Sequence, residues 1–290
     1  MKQEQIPAIL ERMGVNQPVS NLRRFQSEED GESYNVWYME IHGTPVVLKE
    51  AKGCETDTYQ TFFTGECLYA PRLLATALKG EKEYLLMPYI PGRSLRRCGR
   101  EGLIRVLDSL IAMQNSWWGC PAPEKGFHYM ESLTGRKKRR NYLGDTTLEA
   151  AYDAFLQEYQ RVPRTLCHDD LLPFNVIDTG DKAVFIDWEY GGILPYPTSL
   201  ARFLAHCEEA EDAFFYMTEA DKAFALDYYY QHLIWEKGIA YGEYRNTFRL
   251  FLFYEYCEWV YLGIRFNNTS TPRFRRYHAK AKQLAQEMGF

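Results

Sequence analysis

Residues 166–189 read LCHDDLLPFNVIDTGDKAVFIDWE, and the two halves of this stretch differ in kind. His168, Asp170 and Asn175 stand in a run broken by Pro173, too irregular for a helix interior and too polar for a core strand. Residues 183–186 are apolar and end on Asp187. Between the halves, Asp178, Thr179, Gly180 and Asp181 carry turn chemistry, so the stretch predicts a hairpin: a loop entering a short strand over 175–177, a turn, and a return strand that delivers Asp187. Such a hairpin brings Asp170, Asn175 and Asp187 close together.

Two carboxylates and an amide oxygen are hard ligands that suit Mg²⁺, which keeps several waters and completes its shell with phosphate oxygens. The spacing H-x-D-x-x-x-x-N followed by a strand-borne Asp is also the catalytic spacing of kinases. In that pattern Asp170 orients or deprotonates an acceptor hydroxyl, and Asn175 and Asp187 hold the metal. A capped turn rich in Asp and Asn is the bland alternative, which the H-x-D part alone would fit. Three oxygen ligands aimed at one point have no structural purpose, and this favours chemistry.

Working outward toward the N-terminus, Ile6, Ile9, Leu10 and Met13 recur at helical spacing and Gly14 is a plausible stop. The pattern then turns strand-like over 22–26, 34–41 and 46–49, with turn-forming connectors at 27–33 (SEEDGES) and 42–45 (HGTP). Three strands joined by short turns predict an antiparallel meander. Its third strand ends on Lys49, which alone would be an exposed cap but beside the downstream Asp and Asn set would be the fixed cation that phosphoryl transfer needs on a triphosphate. Glu55, near the start of a helical segment over 55–63, is the candidate anion for that lysine, with Glu66 as runner-up. A further strand over 83–87 runs into Pro88-Tyr89-Ile90-Pro91-Gly92, and this punctuated linker predicts a lobe boundary. The chain then divides into a nucleotide-binding lobe over 1–88 and a catalytic and substrate-binding lobe over 89–290. Met87, the Pro88 carbonyl and the Ile90 N–H are the hinge groups expected at an adenine edge, and Ser27, heading the first connector, joins them as a nucleotide contact.

Beyond the linker the period is helical. Leu103, Val106, Leu107, Leu110 and Ile111 form a stripe for a buried helix face. A second helix is predicted over 146–159 with Thr146 or Thr147 as N-cap, and the remainder reads as helices over 198–206, 210–217, 220–237, 241–266 and 272–288. The run Lys137, Lys138, Arg139, Arg140 reads as a solvated face, with a role toward phosphate or an acidic partner as the alternative. Glu208, Glu209, Glu211 and Asp212, with Tyr228, Tyr229, Tyr230, Trp235, Tyr254, Tyr256, Trp259 and Tyr261, make the tail acidic and aromatic. That composition fits ordinary core plus a solvated face, or walls for a cationic acceptor through charge pairing and cation–π contact.

Composition narrows the class. With 290 residues, 46% of them hydrophobic, the chain can bury a real core, and a net charge of −5 offers no broad nucleic-acid surface. Seven scattered cysteines without a C-x-x-C pair predict free thiols in a reducing cytoplasm and no zinc site. The polar N-terminus and the absence of any long apolar run argue against a signal peptide, a membrane span or a membrane partner. Nothing in the sequence speaks to oligomeric state.

The run His168-Asp169-Asp170-Leu171-Leu172-Pro173-Phe174-Asn175 followed by Ile186-Asp187-Trp188-Glu189 resembles the catalytic and metal-binding motifs of the aminoglycoside phosphotransferase and choline kinase family. Met87-Pro88-Tyr89-Ile90-Pro91-Gly92 resembles its hinge, and Ala70-Pro71-Arg72-Leu73-Leu74 the run before its fourth strand. The resemblance implies the α+β, bilobal protein-kinase-like fold, with a small antiparallel-sheet N-lobe and a mainly helical C-lobe. It implies ATP or GTP with Mg²⁺ as cofactors and transfer of the γ-phosphoryl group to a hydroxyl of a small molecule, amine- or sugar-bearing. By position, Asp170 would be the catalytic base, Asn175 and Asp187 the metal ligands, Lys49 the triphosphate cation paired with Glu55, and His168 a brace for the loop. Three departures stand out: the first connector has one glycine, Gly31, among Glu28, Glu29, Asp30 and Glu32; Asp169 replaces a small residue; and Thr198-Ser199-Leu200-Ala201 stands where the family often has Tyr-Asp-Leu-Ala. The acidic connector supports a competing reading, a non-catalytic kinase-fold protein serving as a nucleotide-binding or coat and assembly component.

Overall fold

Alternation along the second and third strands decides where the cleft lies. In a computed structural model, which describes residues 2–26, 31–65 and 67–290, β1 (Val19–Gln26), β2 (Ser33–Ile41), β3 (Thr44–Glu50), β4 (Ala75–Lys79) and β5 (Lys82–Pro88) form one antiparallel sheet in the order β1-β2-β3-β5-β4. Residues directly opposite one another share a face. Trp37 pairs with Leu48, Met39 with Val46 and Leu48 with Leu86. Together they bury the apolar side of α1 (Ile6–Arg12), where Ile6, Ile9 and Leu10 are shielded from solvent. One residue along, Val36, Lys49 and Leu85 line up on the opposite face, as do Tyr38, Val47 and Met87. Leu85 and Met87 join the larger core of the rest of the molecule, so the face carrying Lys49 looks down onto it. The strand over 75–79 was not among the sequence expectations. It pairs with β5 through a two-residue turn in which Gly80 takes φ +65°, a conformation that favours glycine. After β3, α2 (Glu55–Phe62) lies between the sheet and the rest of the chain.

β6 (Arg93–Ser94) leaves the linker and pairs with β8 (Val176–Asp178), which pairs in turn with β9 (Ala183–Phe185). This is the hairpin read from the sequence, placed against the end of the linker. α3 (Arg100–Ser116) buries its Leu103, Val106, Leu107 and Leu110 completely. α4 (Tyr129–Arg140) was not expected: its sequence, YMESLTGRKKRR, is too polar for an apolar stripe, and it packs through Tyr129, Ser132, Leu133 and Arg136. α5 (Thr146–Arg161) is capped by Asp145, whose carboxylate accepts from the N–H groups of Thr147 and Leu148; the cap is therefore neither Thr146 nor Thr147. β7 (Arg164–His168) pairs with β10 (Gly191–Pro195), and α6 (Thr198–Ala205) follows.

One expected helix is absent. Residues 210–217 hold no helix, and β11 (Cys207–Glu208) and β12 (Phe215–Tyr216) pair in parallel across a loop. The apolar spacing there comes from Phe214 and Phe215 packing edge to face, with Phe215 also lying against Phe174 of the hairpin loop. α7 (Glu219–Tyr229) passes through a π turn and a 3₁₀ turn to Gly238, and α8 (Tyr241–Arg265) and α9 (Pro272–Glu287) close the lobe. α8 is buried on most of its circumference, through Phe251, Phe253, Tyr254, Cys257 and Val260, which explains its weak amphipathic signal. All seven cysteines are free, and among the described residues no helix is long and apolar enough to cross a membrane.

Candidate active site

His168 ends β7 and is fully buried against the Trp188 ring. Its main-chain N–H is taken by Ser199 Oγ at 2.9 Å, its Nδ1 accepts the Asp170 N–H at 3.2 Å, and its Nε2 meets the Ile186 carbonyl at 2.8 Å. This pattern requires a neutral ring protonated on Nε2, and burial pushes its pKa down accordingly. His168 thus clasps the loop carrying Asp170 to the strand end carrying Asp187, which is the bracing expected of it. Asn175 completes the clasp: its carbonyl accepts the Ile186 N–H at 2.9 Å, and its Nδ2 donates to the Asp170 carbonyl at 2.8 Å. Asn175 is nearly buried, and with Nδ2 engaged only its Oδ1 is left to act as a ligand.

Asp187 sits at φ +67°, in the left-handed region that a side chain rarely adopts. The conformation turns its carboxylate up to Lys49, whose Nζ contacts both Asp187 Oδ1 and, at 2.5 Å, Glu55 Oε1. Lys49 and Glu55 are buried, while the Asp187 side chain is 40% exposed. Burial opposes a charge on Lys49, but the two carboxylates outweigh it and raise its pKa, so the ammonium stays charged. Burial also works against the Asp187 carboxylate, and Lys49 overcomes it, holding that pKa below the usual range. Glu55 is therefore where the sequence placed it. Ser27 and Glu66 lie outside the described residues. At the linker, Met87 faces the cleft, Pro88 ends β5 opposite Val46, and the Tyr89 N–H goes to the Pro45 carbonyl. The Ile90 N–H has no protein acceptor among the described residues.

Asp170 also forms the edge of a cavity of about 300 Å³ between α4 and α8. Three arginines stand in it, each tied to an acid. Arg202 of α6 donates through Nη2 and Nε to Asp170 Oδ1 at 2.7 and 3.1 Å, and through Nη1 to Glu255 at 3.0 Å. Arg136 of α4 donates to Asp169 at 2.6 Å and is buried between the Tyr159 and Tyr254 rings, each 4.7 Å away. Arg139 meets Glu258 at 3.3 Å. Glu131, Phe127 and Tyr190 form the mouth, the two rings edge to face at 5.5 Å. Burial raises the Glu255 carboxyl to about 7 in spite of Arg202.

The model of a family described as "phosphotransferase enzyme family" matches residues 55–232, more than half of the chain, and this span contains the whole hairpin together with Glu55 and Arg202. The chain belongs to this family. Solved structures place the rest of the fold beside it. A choline kinase from Cryptosporidium parvum superposes with a TM-score of 0.64 at 15% identity over 99% of this chain and 97% of its own. A thermostable mutant of the aminoglycoside phosphotransferase APH(4)-Ia, solved with ADP and hygromycin B, gives 0.61 at 16% over 97% of each chain. An ethanolamine kinase from Plasmodium vivax gives 0.62 at 13% over 92% of this chain and 82% of its own. No curated protein matches the sequence significantly. The chain is thus a small-molecule phosphotransferase with the α+β, two-lobed kinase-like fold.

Within this phosphotransferase the departures acquire physical content. Ser199 stands in the run that replaces Tyr-Asp-Leu-Ala, and its hydroxyl receives the His168 main-chain N–H, so a neutral acceptor holds the loop. Asp169 is the partner of the buried Arg136. The acidic and aromatic tail contributes less than its composition suggested: Glu208 is engaged by Arg276 and Lys280, Glu209 accepts the Glu219 N–H, and Tyr229 is core. Only Tyr254 of those aromatics lines the cavity. Sequence reading missed Arg202, Arg136, Arg139, Glu131, Glu255 and Glu258. The one available signal was the helix-spaced set Ser132, Gly135, Arg136, Arg139, polar on the face that turns inward.

Proposed function

We propose that this phosphotransferase moves the γ-phosphoryl group of ATP to a hydroxyl of a small acceptor held in the cavity between α4 and α8, with Mg²⁺ in the cleft. The observation that carries the reading is the double position of Asp170: it edges the cavity, and through Asn175 and Ile186 it is tied to the strand that presents Asp187 to Lys49. An acceptor hydroxyl in the cavity would meet Asp170, which accepts or orients its proton while Arg202 fixes the carboxylate. Lys49, charged and held by Glu55, neutralises phosphate oxygens on the other side.

The donor set suits a hard cation. Asn175 Oδ1 and the exposed part of the Asp187 carboxylate are both oxygens on neighbouring backbone, and among the described residues no three His, Cys, Asp or Glu side chains converge to cage a metal outright. A Mg²⁺ ion held by Asn175 and Asp187 would supply charge neutralisation of the triphosphate. Met87, Pro88 and Ile90 line the adenine edge, and the free Ile90 N–H supports that placement. Glu131, Glu255 and Glu258 with Phe127, Tyr190 and Tyr254 favour an acceptor that carries an amine or a sugar.

Thermal denaturation with ATP and Mg²⁺ tests the nucleotide part. Saturation at a hundred times Kd stabilises a native state by about 2.7 kcal/mol, so a clear upward shift is expected for the wild type and a Mg²⁺-independent, weaker one for Asp187→Asn. No shift at millimolar nucleotide would overturn the reading. A panel of amines, sugars and aminoglycosides scored for phosphate transfer then identifies the acceptor.

A further inference from the structure

Between residues 93 and 105 the sequence carries five arginines and a single acid, Glu101. The fold gathers them around one cavity of about 530 Å³, where β6 leaves the linker and α3 begins. This cavity shares no lining residue with the one beside Asp170.

Of its two acids, Glu101 is exposed on the first turn of α3, and Asp178 is already committed. Asp178, buried at the floor, receives both Nε and Nη2 of Arg105 at 2.7 and 2.8 Å and also caps the Gly180 N–H. Arg93 reaches the same carboxylate only at 3.5 Å, and its side chain is 79% exposed. Arg100 is held by Asp221 at 2.5 Å. Arg97 donates to the Glu211 carbonyl at 2.6 Å and lies on the Tyr216 ring, contacts that orient the guanidinium without neutralising it. No carboxylate stands within ion-pair distance of Arg97 among the described residues. The first turn of α3 opens on the same space, and its N-cap, Gly99, offers no side chain to its N–H groups.

We propose that this cavity binds a small phosphate-bearing ligand, held chiefly by Arg93 and Arg97. Guanidinium forks match phosphate oxygens two at a time, which lysines in their place would not do. A concave space lined by arginine, with no aromatic floor for a base, fits an oligophosphate group rather than a nucleoside. The opposite-charge partner is missing for Arg97 and loose for Arg93, so a ligand would complete pairs the protein leaves open. The site lies outside the phosphotransfer cleft and does not depend on the assignment of Asp170, Asn175 or Asp187.

The probe is inorganic tripolyphosphate, titrated calorimetrically into the full-length chain in EDTA at low ionic strength. Saturable binding is expected, weakened at least tenfold by the double substitution Arg93→Ala and Arg97→Ala and unchanged by Lys49→Ala. Absence of binding to the wild type, or binding indifferent to the double substitution, would overturn the proposal. So would an equal loss with Lys49→Ala, which would place the probe in the cleft. Because Arg97 touches main chain, Arg97→Lys serves as a milder variant: it keeps the charge but loses the fork, and it should weaken binding less than Arg97→Ala while melting with the wild type. Equal effects of Lys and Ala would argue that the fork plays no part.

Discussion

The hairpin that carries Asp170, Asn175 and Asp187 and the wall that faces Asp170 are built on opposite principles. The hairpin is local: its three functional side chains lie within eighteen residues and are fixed by main-chain bonds through His168, Asn175 and Ile186. The wall is assembled from α4, α6 and α8, whose contributors run from Glu131 to Glu258, and it is fixed by side-chain ion pairs. Main-chain clasps tolerate changes in the side chains they present. Ion pairs across helices do not, because each charge is buried on the assumption that its partner is there.

Adjacent residues should separate the two principles most sharply. Asp170→Asn keeps size and most hydrogen bonds, and is expected to lower phosphate transfer by roughly 10²- to 10⁴-fold, the usual worth of a positioned base, with nucleotide binding little changed and only a small fall in melting temperature, because Arg202 keeps Glu255 as its partner. Full turnover by this variant in an ADP-release assay would remove Asp170 from the chemistry. Asp169→Ala should do the reverse. It strands the buried Arg136 guanidinium, which costs about 3–5 kcal/mol and should lower the melting point on the order of 10 °C. A variant that melts with the wild type would mean that the Tyr159 and Tyr254 rings suffice to hold Arg136.

The same contrast explains what the sequence could reveal. The lysine that ends the third strand and the turn residues 178–181 that fixed the hairpin were readable because both signals are confined to neighbours in the chain. The wall left no comparable trace. Arg202 reads as one more polar residue in a helix, and only the meeting of α6 with the loop and α8 gives it Asp170 and Glu255 together. α4 hid because its inward face is polar, and the absent helix over 210–217 was suggested by aromatic residues that pack across a loop.

His206 probes the wall at a distance from the chemistry. It is buried beside Arg202, Tyr277 and Trp259, and burial followed by the Arg202 charge drives its pKa well below the ordinary value. Lys280 and Arg273 push the same way, while Asp170 and the nearby Glu255 oppose it. The native ring is therefore neutral where an unfolded His takes up a proton, below about pH 6.5. The unfolded state then binds more protons, so this contribution to stability is constant above that pH and declines on acidification, by about 1.4 kcal/mol per pH unit. His206→Asn should melt with a shallower acid slope than the wild type between pH 6.5 and 5. Parallel slopes would show that another group carries the dependence.

The smallest effect belongs to Glu131, the exposed acid at the mouth of the cavity. It pairs with no arginine of the wall, so its removal strands nothing and should leave the melting point alone. If the acceptor carries a cation, that charge meets Glu131 in a half-solvated setting where such pairs are worth at most about 1 kcal/mol. Glu131→Gln should then raise the acceptor KM up to about fivefold and spare kcat, with the difference shrinking in high salt. An unchanged KM for an amine acceptor would move cation recognition inward to Glu255 and Glu258. There the carboxyl of Glu255, raised to about 7 by burial, would make the acceptor KM fall as pH climbs through that value.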